Sequence, residues 1–204
     1  SNSDGAIATT RSVNTTAGFS IMKYTGSGSG SNIAHGLGAT PELTIRKNTG
    51  GVQDWNLHTT VIDGSHDYFI LNTTAAKADS SLTAPSSTLV YTAADSATFM
   101  VYAFKSIQGF SKFGSYTGNN NADGPFVYLG FKPSMVLFKR SSSTENWSLY
   151  DNKRKGYNPQ SFGLRPNTNL AESEYGTTDT VDFLANGFKI RESGTNINNG
   201  TYVY

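Results

Sequence analysis

The feature that most constrains this chain is an internal duplication. The stretch GFSIMKYTG at 18–26 recurs as GFSKFGSYTG at 109–118 with one residue inserted, and beyond it the register holds at a spacing of 92 residues. Nine identities fall within 34 ungapped positions: Tyr24, Thr25, Gly26, Leu37, Gly38, Pro41, Lys47, Trp55 and Leu57 each recur 92 residues later. Self-similarity of this extent predicts two copies of one structural unit.

Each copy has the pattern of a β protein. Runs such as TFMVYAF at 98–104 and SMVLFKR at 134–140 alternate partly and are rich in Val, Phe and Tyr, which is typical of half-buried strands. Gly130 and Pro133 separate two strands, and ANG at 185–187 predicts a hairpin turn. About seven short strands per copy fit an antiparallel β-sandwich. We predict an all-β fold of two jelly-roll-like sandwiches in tandem; a single pseudo-symmetric sandwich built from both copies is the alternative.

The duplication also predicts the domain boundaries. Residues 1–17 are expected to be a lead-in or linker, residues 18–108 the first β repeat and residues 109–204 the second, each about 90 residues long. TFMVYAF of the first copy corresponds to the closing TYVY at 201–204. We therefore expect the second copy to stop within its last strand, as a piece of a longer repeat protein would.

Charge and composition argue against several classes of partner. The 16 basic and 15 acidic residues give a net charge of +1, whereas nucleic-acid binding needs clustered Lys and Arg. The short basic run at 152–158 is more typical of a solvated loop than of an anion site. Without cysteine the chain has no disulfide and no zinc–thiolate site. No apolar run approaches the roughly 18 residues of a membrane span. We expect neither nucleic acid nor a membrane as a partner.

Residues 116–124, YTGNNNADG, look like the front half of a calcium-binding loop. Asn119 and Asn121 supply amides and Asp123 the only carboxylate, while the first copy has SGSGSN at the aligned place. Asn, Asp and Gly tolerate left-handed backbone, so the stretch predicts a turn. A weak cation site at Asn119, Asn121 and Asp123 is the alternative, and no metal or other cofactor is expected.

Two tryptophans recur with polar neighbours, in QDWNLH at 53–58 and ENWSLY at 145–150. A sugar ring stacks on an apolar face that has donors and acceptors beside it. The candidate glycan contacts are Asp54, Trp55, Asn56, His58, Asn146, Trp147, Tyr150 and Tyr157. The favoured alternative is that each Trp is a core anchor, because Leu follows it two positions later in both copies. Alternation would then turn Asp54, Asn56, His58, Asn146, Ser148 and Tyr150 outward.

Motifs for hydrolytic chemistry are missing from the sequence. It has no G-x-S-x-G elbow, no H-E-x-x-H and no Gly-rich loop ending in Gly-Lys-Ser or Gly-Lys-Thr. A glycosidase needs two carboxylates about 5 to 10 Å apart. The acids near the aromatic strands are Glu42, Asp54, Glu145 and Asp151, and none recurs in the other copy. We predict no enzymatic activity and no catalytic residue; a polysaccharide depolymerase is the less favoured alternative.

The order of these motifs resembles a known repeat. G-F-S, Y-T-G, a small-residue loop, G-L-G-x-x-P, a Lys-bearing strand and a W-x-L strand together resemble a tandem-repeat domain of unknown function from predicted structural proteins of tailed bacteriophages. The likeness covers nearly the whole chain in both copies and identifies the repeat without carrying over any functional residue. It implies a virion component: a tail fibre or tail-associated protein, or alternatively a capsid decoration protein.

Residues and resemblance together predict a non-enzymatic structural protein on the surface of a phage particle, in its tail or head. Its expected partners are other virion proteins and host cell-surface polysaccharide. The resemblance also implies a homotrimer, since such modules commonly function as trimers in phage appendages, and a modest core would gain further burial at subunit interfaces. Weak sugar-stacking sites would then gain affinity from the number of copies.

Overall fold

The computed structural model describes residues 4–174, 180–194 and 196–204. Within these ranges every regular element is a β-strand and every strand pairing is antiparallel, which confirms the predicted fold class and is consistent with β-sandwiches. The strands are β1 (Thr10–Asn14), β2 (Phe19–Thr25), β3 (Ser31–Ala34), β4 (Leu43–Asn48), β5 (Asn56–Thr59), β6 (Asp67–Ile70), β7 (Ala78–Asp79), β8 (Leu89–Thr92), β9 (Thr98–Phe104), β10 (Ser115–Thr117), β11 (Phe126–Tyr128), β12 (Met135–Arg140), β13 (Ser148–Asp151), β14 (Phe162–Leu164), β15 (Ser173–Glu174), β16 (Val181–Leu184), β17 (Gly187–Ile190) and β18 (Thr201–Val203).

The chain divides into two units, and the first comprises the described residues up to Ile70 together with Ala78–Phe113. Its larger sheet has seven strands in the order β1-β2-β9-β4-β5-β6-β7, and β3 and β8 form a second sheet. Along β9 buried and half-exposed residues alternate, so one face of the strand is directed into the core. The buried core residues are Met22, Tyr24, Ile33, Leu37, Val90, Phe99, Val101 and Ala103.

The second unit comprises Leu71–Lys77 and the described residues from Gly114 to Tyr204. It has a six-stranded sheet in the order β10-β18-β12-β13-β14-β15 and a three-stranded sheet in the order β11-β17-β16. Its core is strongly aromatic: the ring of Phe138 meets those of Tyr116, Tyr150 and Phe188 edge to face. The buried core residues are Tyr116, Val127, Val136, Phe138, Tyr150, Val181, Phe183, Phe188, Ile190, Ile197 and Tyr202.

Strands of the two units correspond at the spacing seen in the sequence. Adding 92 to the bounds of β4 gives those of β12, and adding 92 to the bounds of β5 gives those of β13. The pairing register corresponds as well: Tyr24 lies opposite Phe99 between β2 and β9, and Tyr116 lies opposite Tyr202 between β10 and β18. Both of these aromatic pairs are stacked. The correspondence agrees with a duplication, which itself stays a prediction from the sequence.

The predicted linker over residues 1–17 needs correction. Residues 10–14 form β1, which pairs along its whole length with β2, from Thr10 opposite Lys23 to Asn14 opposite Phe19. Exposed and half-buried residues alternate along β1, as expected for a strand at the edge of a sheet with one face partly covered. The lead-in is therefore part of the first unit, at least from residue 10 onward.

The predicted division after residue 108 is also shifted. Residues up to Phe113 belong to the first unit, since a turn closed by Ile107 and Ser111 follows its last strand. The segment Leu71–Lys77, predicted within the first repeat, belongs to the second unit. Its backbone is bonded there: Lys77 donates to the Ser141 carbonyl at 2.9 Å. A segment that packs into a unit distant from it in the chain leaves no sign of this in the local sequence.

Candidate functional site

Trp147, one of the two predicted sugar platforms, is a buried structural residue with 1% of its surface exposed. Its backbone nitrogen donates to Asn167 Oδ1 at 2.9 Å, and the amide of Asn167 donates to Asn146 Oδ1 at 2.8 Å. A buried indole offers no face to a ligand, and half-buried Asn146 is held in this local network. Of the two interpretations of Trp147, the core anchor is the one that its burial favours.

Trp55 differs from its counterpart because it is only half-buried. The ammonium of Lys47 lies 5.9 Å from the centre of the indole ring and donates to the Gln53 carbonyl at 2.6 Å. Asp54 beside it is exposed and Asn56 is half-buried. Trp55, Asp54 and Asn56 therefore remain accessible as candidate glycan contacts.

The expectation that His58, Ser148 and Tyr150 face outward is wrong. All three are buried, and Tyr150 belongs to the core of the second unit. Side chains alternate along β5 and β13 as predicted, but the core lies on the side of His58 and Tyr150, while Leu57 and Trp147 are buried on the other side. A strand covered on both faces does not reveal in its sequence which face is the core.

The last predicted contact, Tyr157, is exposed and lies in the basic run at 152–158. Lys155 Nζ lies 5.2 Å from the centre of its ring. The other basic residue with resolved partners, Arg154, donates to Asp151 at 2.8 Å and to Glu172. Arg154 and Lys155, the latter 3.6 Å from Glu174, thus pair with carboxylates of their own unit, and the Tyr157 ring stays accessible.

The stretch around Asn119, Asn121 and Asp123 has the geometry of consecutive side-chain-closed turns. Asn121 N donates to Asn119 Oδ1 at 3.1 Å, Asp123 N donates to Asn121 Oδ1 at 2.8 Å, and Asn120 adopts a φ of 54°. The Asp123 carboxylate lies 2.8 Å from Lys189 Nζ. The hydrogen bond from Lys189 is the main reason that the pKa of Asp123 is lowered. Oxygens committed in this way suit a turn better than a calcium ligand set.

An exposed aromatic surface that the sequence analysis did not single out lies on β11. Phe126 and Tyr128 are 44% and 66% exposed, whereas Val127 between them is buried. Both rings leave the same face of this edge strand, about 7 Å apart along it. Gly187 lies opposite Tyr128 on β17, and a Cβ there would lie 3.0 Å from Phe126 Cζ. The missing side chain lets the Phe126 ring lie against β17.

Charged groups border these two rings. Lys189 lies opposite Phe126 in the strand register. Arg191 donates from Nε to Asp182 Oδ2 at 2.6 Å and approaches Asp123 at 3.8 Å. We call the set Phe126, Tyr128, Asp123, Lys189 and Arg191 the β11 face. The available sequence signal was the aromatic and β-branched run FVY after Gly-Pro, which indicates a strand but not that its two rings are exposed.

A second polar cluster lies inside the first unit. Arg46 on β4, His58 on β5, His66 just before β6 and Thr92 on β8 line a cavity of about 10 Å³, room for one water-sized particle. Arg46 Nε and Nη1, His58 Nδ1, His66 Nε2 and Thr92 Oγ1 are buried and have no hydrogen-bond partner among the residues that the structure describes. We call these four residues the Arg46 pocket.

The electrostatics of the Arg46 pocket follow from burial next to a cation. The two imidazole rings have centres 5.2 Å apart. Burial, with smaller contributions from His66 and Arg46, lowers the pKa of His58 to about 3. His66 Nδ1 lies 2.9 Å from the Leu82 carbonyl, so Nδ1 carries the proton and Nε2 presents a lone pair in the neutral ring. His58 is therefore neutral near pH 7, and Arg46 carries the positive charge of the pocket.

Aromatic rings occupy the aligned positions in the second unit. Residue 46 corresponds to Phe138 and residue 58 to Tyr150, whose rings meet edge to face with centres 6.1 Å apart. The sequence signal was available, since LTIRKN carries polar residues at both positions that β4 directs inward, Thr44 and Arg46. It was not informative without the knowledge of which face is the core.

Among residues 4–174, 180–194 and 196–204, no group of three or more His, Cys, Asp and Glu side chains could hold a metal ion. In the same part of the chain, no helix is long and apolar enough to cross a membrane. A family model described as "Domain of unknown function (DUF7483)" matches residues 1–204. No curated protein and no solved structure matches the chain.

Proposed function

We propose that this chain, which belongs to the family DUF7483 of domains of unknown function, is a non-enzymatic structural module of a bacteriophage particle that binds bacterial surface glycans. The motif order that resembles repeats in phage structural proteins supports a place in the particle. Two successive β units with corresponding strand registers fit such a repetitive appendage. The tail-fibre or tail-associated position is the one that this proposal adopts.

The β11 face is the observation that carries the binding part of the proposal. Phe126 and Tyr128 present two exposed rings on one side of an edge strand, and charged donors and acceptors of Lys189, Arg191 and Asp123 lie beside them. Sugar recognition combines an apolar ring face with polar groups at its rim. Both strands beneath the face are held in the sheet, so binding would order little new structure.

Trp55 and Tyr157 are secondary stacking sites in this proposal. Each keeps an accessible ring with a lysine ammonium near it, Lys47 and Lys155 respectively. Single sites of this kind bind weakly, so the proposal includes multiplicity through repeats and through assembly as a homotrimer. Sedimentation of the recombinant chain tests the trimer directly, and a monomer at micromolar concentration would remove that part.

Glycan binding is tested with a matched pair of variants. The double variant Phe126→Ala, Tyr128→Ala removes both rings of the β11 face. Phe110→Ala removes a ring that is 64% exposed in the first unit and serves as the control. On an array of bacterial capsules and lipopolysaccharides, we expect the double variant to lose about tenfold or more in affinity and the control to lose none. Equal binding by all three proteins would overturn the glycan site.

The place in the particle is tested by gold-labelled antibody against the recombinant chain on intact virions of the phage that encodes it. Label along fibres or at the tail tip is expected. Label spread over the head would instead make the chain a capsid decoration protein. A particle without label would refute the virion assignment.

A further inference from the structure

We propose that the Arg46 pocket binds one small monovalent anion of the size of chloride. The site lies inside the first unit and is independent of the glycan-binding proposal, which rests on the β11 face of the second unit. It is inferred from three side chains, Arg46, His58 and Thr92, that can direct donors without a partner in the described structure into one small cavity.

The positive charge of Arg46 is the first reason to expect an anion in this cavity. Its Nε and Nη1 are buried without partners, and within the described ranges no carboxylate lies at salt-bridge distance from its guanidinium. The ring of Phe99, 5.0 Å from Arg46 Cζ, offers a cation–π contact but no counter-charge. The Arg46 side chain is half-buried and shares a hydrogen bond with Tyr24, but its buried Nε and Nη1 are left without acceptors among the described residues. An anion in the cavity would supply both the counter-charge and the acceptors.

The lining decides the sign of the ligand. None of the side chains that surround the cavity is a carboxylate, and the polar ones are a guanidinium, two imidazoles and hydroxyls. A guanidinium N–H, the Thr92 hydroxyl and a His58 Nδ1–H tautomer can all point donors at one particle. A cation would meet Arg46 instead. The cavity of about 10 Å³ holds a monatomic ion or one water, and it is too small for sulfate or phosphate.

Two comparisons show how other parts of the molecule accommodate a buried imidazole and the aligned strand positions. His35, also buried, has both ring nitrogens engaged: Nδ1 accepts from Leu37 N at 3.1 Å, and Nε2 lies 3.2 Å from the Ser86 carbonyl. In the second unit the aligned pair Phe138 and Tyr150 fills the corresponding space with rings. The strand pair itself therefore does not require a guanidinium and an imidazole at these two positions.

Anion binding at this site would be coupled to protons. A protonated imidazole gains a donor, so an anion raises the affinity of His58 for protons, and acid strengthens anion binding in return. The titratable or charged groups that face the pair of His58 and His66 are Arg46 from β4, Tyr68 from β6, Tyr24 from β2 and Tyr91 from β8. The carboxylate of Asp63 is bonded to Ser65 instead.

The first experiment measures unfolding of the full chain at constant ionic strength while sodium chloride replaces sodium gluconate, whose anion is too large for the cavity. Above the dissociation constant, each tenfold increase in chloride should raise the folded-to-unfolded ratio about tenfold. Hydrogen exchange of the β4 and β5 amides should slow in parallel. The double variant Arg46→Phe, His58→Tyr, which installs the residues of the second unit, should lose this dependence, while Lys23→Gln at an exposed cation keeps it.

The second experiment uses the unmodified chain, so that it does not depend on a variant that folds. Crystals soaked in sodium bromide should give an anomalous peak inside the Arg46 pocket, stronger than any bromide on the surface. Anomalous peaks at surface lysines but none in the cavity would overturn the proposal. Water density in the cavity without an anomalous signal would have the same consequence. Equal chloride dependence in the wild type and the double variant would overturn it as well.

Discussion

The two units place different chemistry at corresponding positions of one strand pair. In the first unit β4 and β5 direct Arg46 and His58 into the core, and the two side chains keep buried atoms without partners in the described structure. In the second unit β12 and β13 direct Phe138 and Tyr150 to the aligned positions, where their rings join an aromatic cluster. The strand bounds are nevertheless identical after the 92-residue shift.

This difference shows that strand register and core chemistry are separable. Backbone pairing and turn residues set the register, and these correspond in the two units. The register does not depend on which side chains fill the core, so the first unit has charged and polar side chains at two positions where the second has rings. At these two positions the first unit therefore bears a cost of polar burial, whereas the second unit buries its polar side chains elsewhere, for example Arg165 and Glu192.

The largest expected effect is in the aromatic core of the second unit. Phe138→Ala removes a ring that is fully buried against Tyr116, Tyr150 and Phe188. We expect the free energy of unfolding to fall by about 3 to 5 kcal/mol, because the cavity left behind adds to the lost burial. Urea denaturation measures it, with exposed Phe110→Ala as the control. A loss of less than 1 kcal/mol would show that this core can collapse, contrary to dense packing.

The second effect is a loss of folding stability in acid that originates in the Arg46 pocket. His58 has a pKa of about 3 in the folded chain and an ordinary value of 6.5 when unfolded. Between these values the unfolded chain binds more protons, so stability present above pH 6.5 is lost as the pH falls toward 3. The loss is about 1.4 kcal/mol per pH unit.

This loss is measured as the difference between wild type and His58→Tyr, in chloride-free buffer, because carboxylates titrate in the same range. The protection factors of the β4 and β5 amides, which correct for the pH dependence of intrinsic exchange, should fall in the wild type alone. If both proteins lost stability in parallel from pH 6.5 to 4, His58 would not be buried in its neutral form. The Arg46 pocket would then be more open to water than the structure indicates.

A third, smaller effect compares the stacked tyrosines. The Tyr116 hydroxyl donates to the Ile197 carbonyl at 2.6 Å in the core, and burial is the main reason that its pKa is raised. Tyr116→Phe leaves that carbonyl unpaired and should cost about 1 to 3 kcal/mol. Tyr24→Phe in the first unit should cost less, since the partner of its hydroxyl is the half-buried Arg46 side chain and not a backbone carbonyl in the core. Equal costs in urea denaturation would contradict this distinction.

The smallest effect is expected in the turn around Asp123. Its ion pairs with Lys189 and Arg191 are exposed, and the aligned stretch of the first unit has no carboxylate at all. Asp123→Asn should leave the urea midpoint unchanged in both low and high salt, because surface ion pairs contribute little. If calcium raised the urea midpoint of the wild type but not that of Asp123→Asn, the result would instead support the cation site.

Much of the fold follows from local sequence patterns. Alternating Val-, Phe- and Tyr-rich runs and frequent turn residues predict the all-β class, which the structure confirms. The amide and carboxylate spacing of NNNADG predicts a turn, and its side chains do close backbone turns. These features depend on residues near one another in the chain, so local stereochemistry is sufficient to specify them.

The sites were harder to predict. The sequence places Trp147 among polar residues, yet the indole is buried, and it makes Tyr150 an outward residue, yet the ring is in the core. Parity along a strand says which residues share a face and not which face meets the other sheet. Phe126 and Tyr128 on the β11 face were missed for the same reason.

The sequence by itself determined the strand content, the turns and the 92-residue correspondence, because each is written in spacing along the chain. Only the tertiary structure decided that residues 10–14 extend the first sheet, that Leu71–Lys77 serves the second unit, and that Arg46, His58, His66 and Thr92 share one cavity. Those residues come from different strands and loops. Their meeting depends on which faces two sheets bury against each other, and that is a property of the whole packed unit.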